Sequence, residues 1–241
     1  MVSWSKPEQR AELKVSLSSG EVRTALELLG LSSPRKAGSV AFLEDLTIGA
    51  NLPLFAAGLI LRLRVKPGDG TMESTVKLRP VRRSALGARW LPDVSAVTLE
   101  QDWGLHRVVV AAALKAAKPK DALENAFAGT TRLTELFDEH QAAFLRECTG
   151  MPVNIEELAL LGPVETLLWK DVKLDGLKVD VERWSVGPLD FVELSMKEGD
   201  LSVAAARSAA LLAAVTNRGL PVDRAAQSKT ETVLRYLAQR N

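Results

Sequence analysis

The chain has 241 residues, with 31 lysines and arginines against 30 aspartates and glutamates. This near balance excludes the uniform basic field of a nucleic-acid binder, and the single cysteine, Cys148, excludes an internal disulfide framework and fits a reducing compartment. No apolar run approaches the roughly 20 residues of a membrane span, and the polar stretch 1–10 lacks the apolar core of a secretory signal, so a cytoplasmic protein with no membrane partner is expected.

A first strand is expected over 11–17, after which Ser18-Ser19-Gly20-Glu21 supplies capping chemistry for a helix over 21–29 that ends at Gly30. Residues 32–39 read as loop and 40–47 as extended, and 51–58 carries breakers ahead of an apolar and basic strand at 59–66. Pro67-Gly68-Asp69-Gly70 is a turn and 74–80 the returning strand, a hairpin with Arg62 and Arg64 on one arm and Lys77 and Arg79 on the other. A polar loop at 82–92 leads to a strand over 95–103. Helical period over 105–118 and 131–146 then marks a helical insert or cap at about 105–150. Extended character returns at 166–174, 178–185 and 191–197, separated by the turn pairs Asp175-Gly176 and Gly187-Pro188. Two helices close the chain, at 202–217 and 228–239, the second with Ser228 and Glu231 spaced as a capping box. The Ala-rich stretch 204–214 suits tight packing in the core or against a second copy in a homodimer, and both readings stay open.

Charge alternates with apolar residues in Glu12-Leu13-Lys14, Arg62-Leu63-Arg64, Lys77-Leu78-Arg79, Glu100-Gln101-Asp102, Asp180-Val181-Glu182 and Glu193-Leu194-Ser195. A period of two sends these charges to one face of each strand. That face is either the wet side of an antiparallel sheet or the lumen of a closed barrel. The near absence of Thr, Asn and Gln at these positions favours the lumen. A lumen half cationic and half anionic suits a phosphate chain gripped by Arg and Lys beside a divalent metal held by carboxylates.

These residues resemble the CYTH superfamily, whose strands build a triphosphate tunnel and whose members include thiamine triphosphatases, inorganic triphosphatases and an unusual class of adenylate cyclase. Arg10-Ala11-Glu12-Leu13-Lys14 is similar to the family's E-x-E-x-K with Arg10 in place of the first Glu. Asp45, Leu59-Ile60-Leu61-Arg62-Leu63-Arg64 and Thr75-Val76-Lys77-Leu78-Arg79 resemble its aspartate, "aLRxR" and "TxK" segments. The stretch from Val97 to Trp103 resembles an acidic tunnel strand, as do Asp180 and Phe191-Val192-Glu193-Leu194-Ser195, where Ser195 stands for a usual second Glu. Gln227-Ser228-Lys229 is similar to the terminal "SK". Thr166-Leu167-Leu168-Trp169 holds no arginine where the family has one, and Lys170 or Lys173 is the candidate substitute.

The resemblance implies an α+β fold: an antiparallel closed β-barrel of about eight strands decorated by helices, forming one tunnel domain over 1–241. It implies divalent-metal-dependent hydrolysis of a small-molecule triphosphate or polyphosphate, with no nucleic-acid partner. Glu12, Glu100 and Asp102 would be catalytic. Lys14, Arg62, Arg64, Lys77, Arg79 and Lys229 would bind phosphate, and Glu12, Glu100, Asp102 and Glu193 would hold Mg²⁺ or Mn²⁺. The alternative is a catalytically impaired relative that binds polyphosphate, nucleotide or another organic phosphate without turnover, because Arg10 and Ser195 each remove an acid. Arg10 either adds a phosphate contact or, with the register one residue out, faces away. His106 and His140 are expected to be ordinary polar residues, and Trp103, Trp169 and Trp184 core or rim residues. No Walker loop or dinucleotide fingerprint is present.

Overall fold

In the computed structural model the described residues are 9–31, 36–47, 49–68, 70–224 and 228–241. Part of the expected loop at 32–39, the turn residue Asp69, and Gln227 of the "SK" segment lie outside them, as do residues 1–8 of the amino-terminal stretch. Nine strands form: β1 (Gln9–Leu17), β2 (Lys36–Glu44), β3 (Leu59–Val65), β4 (Met72–Leu78), β5 (Thr98–Trp103), β6 (Val108–Lys118), β7 (Ala159–Leu174), β8 (Leu177–Val186) and β9 (Leu189–Glu198). The order around the sheet is β1-β5-β6-β4-β3-β2-β7-β8-β9, and β9 pairs back onto β1 to close the barrel. Every described pairing is antiparallel except β1 with β5, which is parallel.

The barrel therefore has nine strands of mixed direction where about eight antiparallel ones are expected. The ninth is β6, whose segment 105–118 reads as helical by sequence. The run Val-Val-Val-Ala-Ala-Ala-Leu has no polar residue to separate period two from period 3.6, and its alanines favour helix. Backbone pairing with β4 on one side and β5 on the other decides the matter. The connection between β6 and β7 keeps its helical character, with α3 (Ala122–Phe127), a short 3₁₀ turn and α4 (Glu139–Cys148).

Alternation drives the assembly. Leu59, Leu61 and Leu63 of β3 are buried outward, in a cluster with Leu54, Val76, Leu114 and Phe144, while Arg62 and Arg64 point the other way. On the opposite side of the barrel Leu13, Val15, Val181, Val192 and Leu194 pack under α1 (Val22–Leu28) and α5 (Ala204–Asn217), whose Leu211, Ala214 and Val215 are buried there. Covered strands of this kind have no wet outer face, so the alternate charges occupy a lumen. A third apolar cluster joins Val40, Phe42, Val164 and Trp184 to Val233, Leu234 and Ala238 of α6 (Lys229–Ala238). Ser228 caps that helix by accepting from the Glu231 amide at 3.2 Å.

Two local devices hold the charged strands in place. Gln141 closes a capping box on α4 and also donates from Nε2 to the Ser74 and Leu114 carbonyls at 3.1 and 3.2 Å, which ties α4 to β4 and β6. Gly58, at φ +80°, lies where a Cβ would stand 2.9 Å from the Arg79 carbonyl, and its own carbonyl accepts from the Arg79 amide at 2.7 Å. The close approach fixes the backbone from which Arg79 enters the lumen. Among the described residues no helix is long and apolar enough to cross a membrane.

Candidate functional site: a charged tunnel

All ten residues expected at the site line one cavity of about 310 Å³ inside the barrel: Glu12, Lys14, Arg62, Arg64, Lys77, Arg79, Glu100, Asp102, Glu193 and Lys229. They arrive from five strands, β1, β3, β4 with the residue just past its end, β5 and β9, and from the first turn of α6. The cavity's described lining holds nine lysines and arginines against six carboxylates, an excess of three positive charges. Ser195 also lines it, whereas Arg10 is exposed and outside it. Because Arg10 shares the parity of Glu12 and pairs with Glu100, it lies on the lumen-facing side but beyond the mouth.

Two carboxylates organise the lumen. Asp102, 3% exposed, receives Lys14 Nζ at 3.3 Å on one oxygen and both Lys77 Nζ at 3.1 Å and Arg79 Nε at 2.9 Å on the other. Burial alone would raise its pKa, but these three charges outweigh burial and hold it well below the usual carboxylate range. Glu12 pairs with Lys14 at 2.8 Å and is likewise lowered against burial. Lys14, desolvated yet surrounded by Glu12, Glu193 and Asp102, is pushed up from its ordinary value. Lys77 goes down, because burial and the neighbouring Lys14 outweigh Asp102.

The second organiser is Glu182, which reaches Arg64 across the interior from β8 to β3. Glu182 lies directly opposite Glu193 in the β8–β9 ladder, and Lys229 bridges these like charges at 3.3 Å to each. Lys229 Nζ also sits 4.3 Å from the Trp184 ring centre. Burial favours the neutral acid, yet Lys229, Arg64 and Arg62 bring the Glu182 pKa down to about 2 from 4.5. Because its folded pKa is depressed, Glu182 contributes stability above pH 4.5 that is lost as pH falls toward 2, an amount of about 3 kcal/mol. A Glu182→Gln protein is expected to be less stable at neutral pH and to show a flatter stability profile between pH 4.5 and 2, read from urea midpoints along a pH series. An unchanged slope would remove Glu182 as the organiser.

Arg62 differs from its neighbours. It makes no ion pair among the described residues, and burial followed by the adjacent Arg64 charge lowers its pKa against the pull of Glu182, Glu73 and Glu12; its Nε has no hydrogen-bond partner, a feature it shares with Arg64. Glu100 also makes no ion pair among the described residues, so an unpaired acid stands on a different wall of the lumen from Arg62.

Other expectations fare differently. Lys170 and Lys173 are exposed on β7 and do not line the cavity, so neither replaces the missing arginine. The lumen-facing positions of β7 run through Thr166 and Leu168, which pair with Trp184 and Glu182. Asp45 is half-buried, does not line the cavity and accepts from the Thr47 amide and hydroxyl, while its neighbour Glu44 is buried and accepts from the Leu54 and Phe55 amides. Trp169 is a core residue and Trp184 lines the cavity. His140 is exposed, and His106 lines the mouth and donates to the Arg224 carbonyl at 3.1 Å. Glu182 is the residue that site reasoning left out, although its segment was among the alternating ones.

No protein-family model and no curated protein sequence matches this chain. Solved structures do. A Hippeastrum protein named as an adenylyl cyclase and found to have a dominant triphosphatase activity is 16% identical, with a TM-score of 0.56 over 92% of this chain and 93% of that one. A Bacillus halodurans protein named as an adenylate cyclase is 12% identical, with a TM-score of 0.56 over 92% and 95%. At these identities the likeness is one of fold, and it extends over nearly the whole of both chains. A closed barrel decorated by helices, as the resemblance implies, is present, with nine strands of mixed direction in place of about eight antiparallel ones.

Proposed function

We propose that the tunnel binds the phosphate chain of a small molecule carrying a triphosphate, either inorganic triphosphate or an organic one. The observation that carries this reading is Arg62, a half-buried guanidinium in the lumen that makes no ion pair among the described residues. A partly desolvated cation without a direct partner is destabilising, and an anionic ligand would offset that cost directly. Arg64, Lys77, Arg79, Lys14 and Lys229 face the same space, and guanidinium forks grip paired phosphate oxygens.

The fold shared with a protein whose dominant activity is triphosphatase supports a finer reading: divalent-metal-dependent hydrolysis of the phosphoanhydride bond. Transfer of this kind rests on positioning and charge stabilisation, which a cationic tunnel supplies. The carboxylates of the free protein do not, however, fit a ready metal centre. Among the described residues no three metal-binding side chains converge, and Glu12, Asp102 and Glu193 are each engaged by a cation. That engagement, with Arg10 and Ser195 where the family has acids, favours the second reading of a binder without turnover.

Thermal unfolding with tripolyphosphate, ATP and thiamine triphosphate, each with Mg²⁺, Mn²⁺ or EDTA and with released phosphate read alongside, separates these readings. A ligand at about 100 times its dissociation constant adds roughly 2.7 kcal/mol. Stabilisation with metal-dependent release supports the hydrolase, and stabilisation alone supports the binder. No stabilisation by any of the three would overturn triphosphate binding.

A further inference from the structure

We infer that the free tunnel excludes divalent cations by pairing its own carboxylates, and that a bound polyanion admits one by drawing the lumen cations away from them. This rests on the triphosphate reading above and adds a thermodynamic link between the two ligands. The pairing is nearly complete. Both oxygens of Asp102 are taken by Lys14, Lys77 and Arg79, Glu12 by Lys14, and Glu193 shares Lys229 with Glu182. Of the four acids expected to hold metal only Glu100 lacks an ion pair among the described residues. Divalent Mg²⁺ and Mn²⁺ need several oxygen ligands, so one carboxylate is a weak site.

A cation entering the free tunnel must displace ammonium and guanidinium groups fixed to the same barrel, and those groups then repel it. A triphosphate reverses the balance. Its oxygens accept from the same lysines and arginines, which releases Asp102 and Glu12, and the added negative charge favours a cation beside them. The two ligands then bind with positive linkage, and linkage is reciprocal: each tightens the other by the same factor.

The probes are Mn²⁺ and imidotriphosphate, whose P–N–P bridges resist hydrolysis. Equilibrium dialysis of the full chain with Mn²⁺ alone, with imidotriphosphate in EDTA, and with both gives three binding isotherms. Imidotriphosphate is expected to bind in EDTA, and Mn²⁺ retention is expected to be at least about tenfold tighter in its presence than in its absence. A Lys14→Met/Lys77→Met/Arg79→Met variant, checked for its fold by circular dichroism, is expected to retain Mn²⁺ without any polyanion because Asp102 is then free.

Mn²⁺ held by the free wild type as tightly as by the imidotriphosphate complex, and lost in Asp102→Asn, overturns the inference and leaves triphosphate binding intact. Imidotriphosphate bound without any added Mn²⁺ retention overturns it equally. Failure of imidotriphosphate to bind in EDTA would count against the tunnel as a phosphate site, and the link would fall with it.

Discussion

Replacing Arg62 with methionine is expected to stabilise the free protein and, in the same step, to remove most of its response to tripolyphosphate. Arg62 is half-buried, its Nε has no partner, and the repelling charge of Arg64 is the largest acting on it, ahead of the attraction of Glu182, Glu73 and Glu12. Leaving a buried polar group unsatisfied costs about 1–3 kcal/mol and more when it is charged, so a methionine of similar length returns on the order of 1–3 kcal/mol. The site is not wholly apolar, since Phe42 stands opposite Arg62 on β2 and Thr75 opposite it on β4, and a thioether packs against both. The ligand-bound state changes in the other direction, because a guanidinium contact to phosphate oxygens is among the stronger hydrogen bonds available. Chemical denaturation with and without tripolyphosphate measures both changes. A residue serving only stability would show destabilisation in both arms, and that result would withdraw Arg62 from the site. Opposite signs in one substitution are the mark of strain kept for function.

The lumen was legible in the sequence because two constraints act together on each strand. Leu59, Leu61 and Leu63 must face covered core, so Arg62 and Arg64 have only the interior left, and the same holds for Glu12 and Lys14 between Ala11, Leu13 and Val15. Period two therefore located nine of the ten side chains around one cavity without any knowledge of strand order, Lys229 of α6 coming from the resemblance instead. Depth along a strand is a different quantity, and alternation does not encode it. Asp180 and Glu182 share a face, yet Glu182 lines the cavity while Asp180, two residues earlier in β8, does not and accepts from the Asp171 amide. Likewise Arg10 has the parity of the lumen but not its depth.

The bulge in β7 between Trp169 and Val172 breaks the simple count there, so spacing gave no sound basis for placing Lys170 or Lys173 inside. The first seven residues of β6 carry no polar marker, so alternation does not tell strand from helix there, and its identity rests on pairing with β4 and β5. The ion-pair pattern was wholly out of reach, since Asp102 meets Lys14 across 88 positions and Arg64 meets Glu182 across 118.

Asp102→Asn is expected to be the most damaging single change in the lumen, and tripolyphosphate is expected to repair a large part of it. The carboxylate is 3% exposed and neutralises Lys14, Lys77 and Arg79 at once. An amide of the same shape leaves those cations facing one another, and removal of one partner from a buried ion pair costs about 3–5 kcal/mol. Since the folded Asp102 pKa is depressed by these charges, its contribution is present above the ordinary aspartate range and is lost only as pH falls through the lowered value. The variant should therefore lose stability at neutral pH and converge on the wild type in strong acid. A phosphate chain brings the missing negative charge to the same three cations, so tripolyphosphate should stabilise Asp102→Asn by more than it stabilises the wild type, measured as the shift in denaturation midpoint under EDTA. If Asp102 served only to hold a metal, the free variant would be as stable as the wild type and the anion would help both equally. A deficit that tripolyphosphate fills instead identifies the carboxylate as the tunnel's internal substitute for its ligand, the group that balances the cationic wall until a phosphate takes its place.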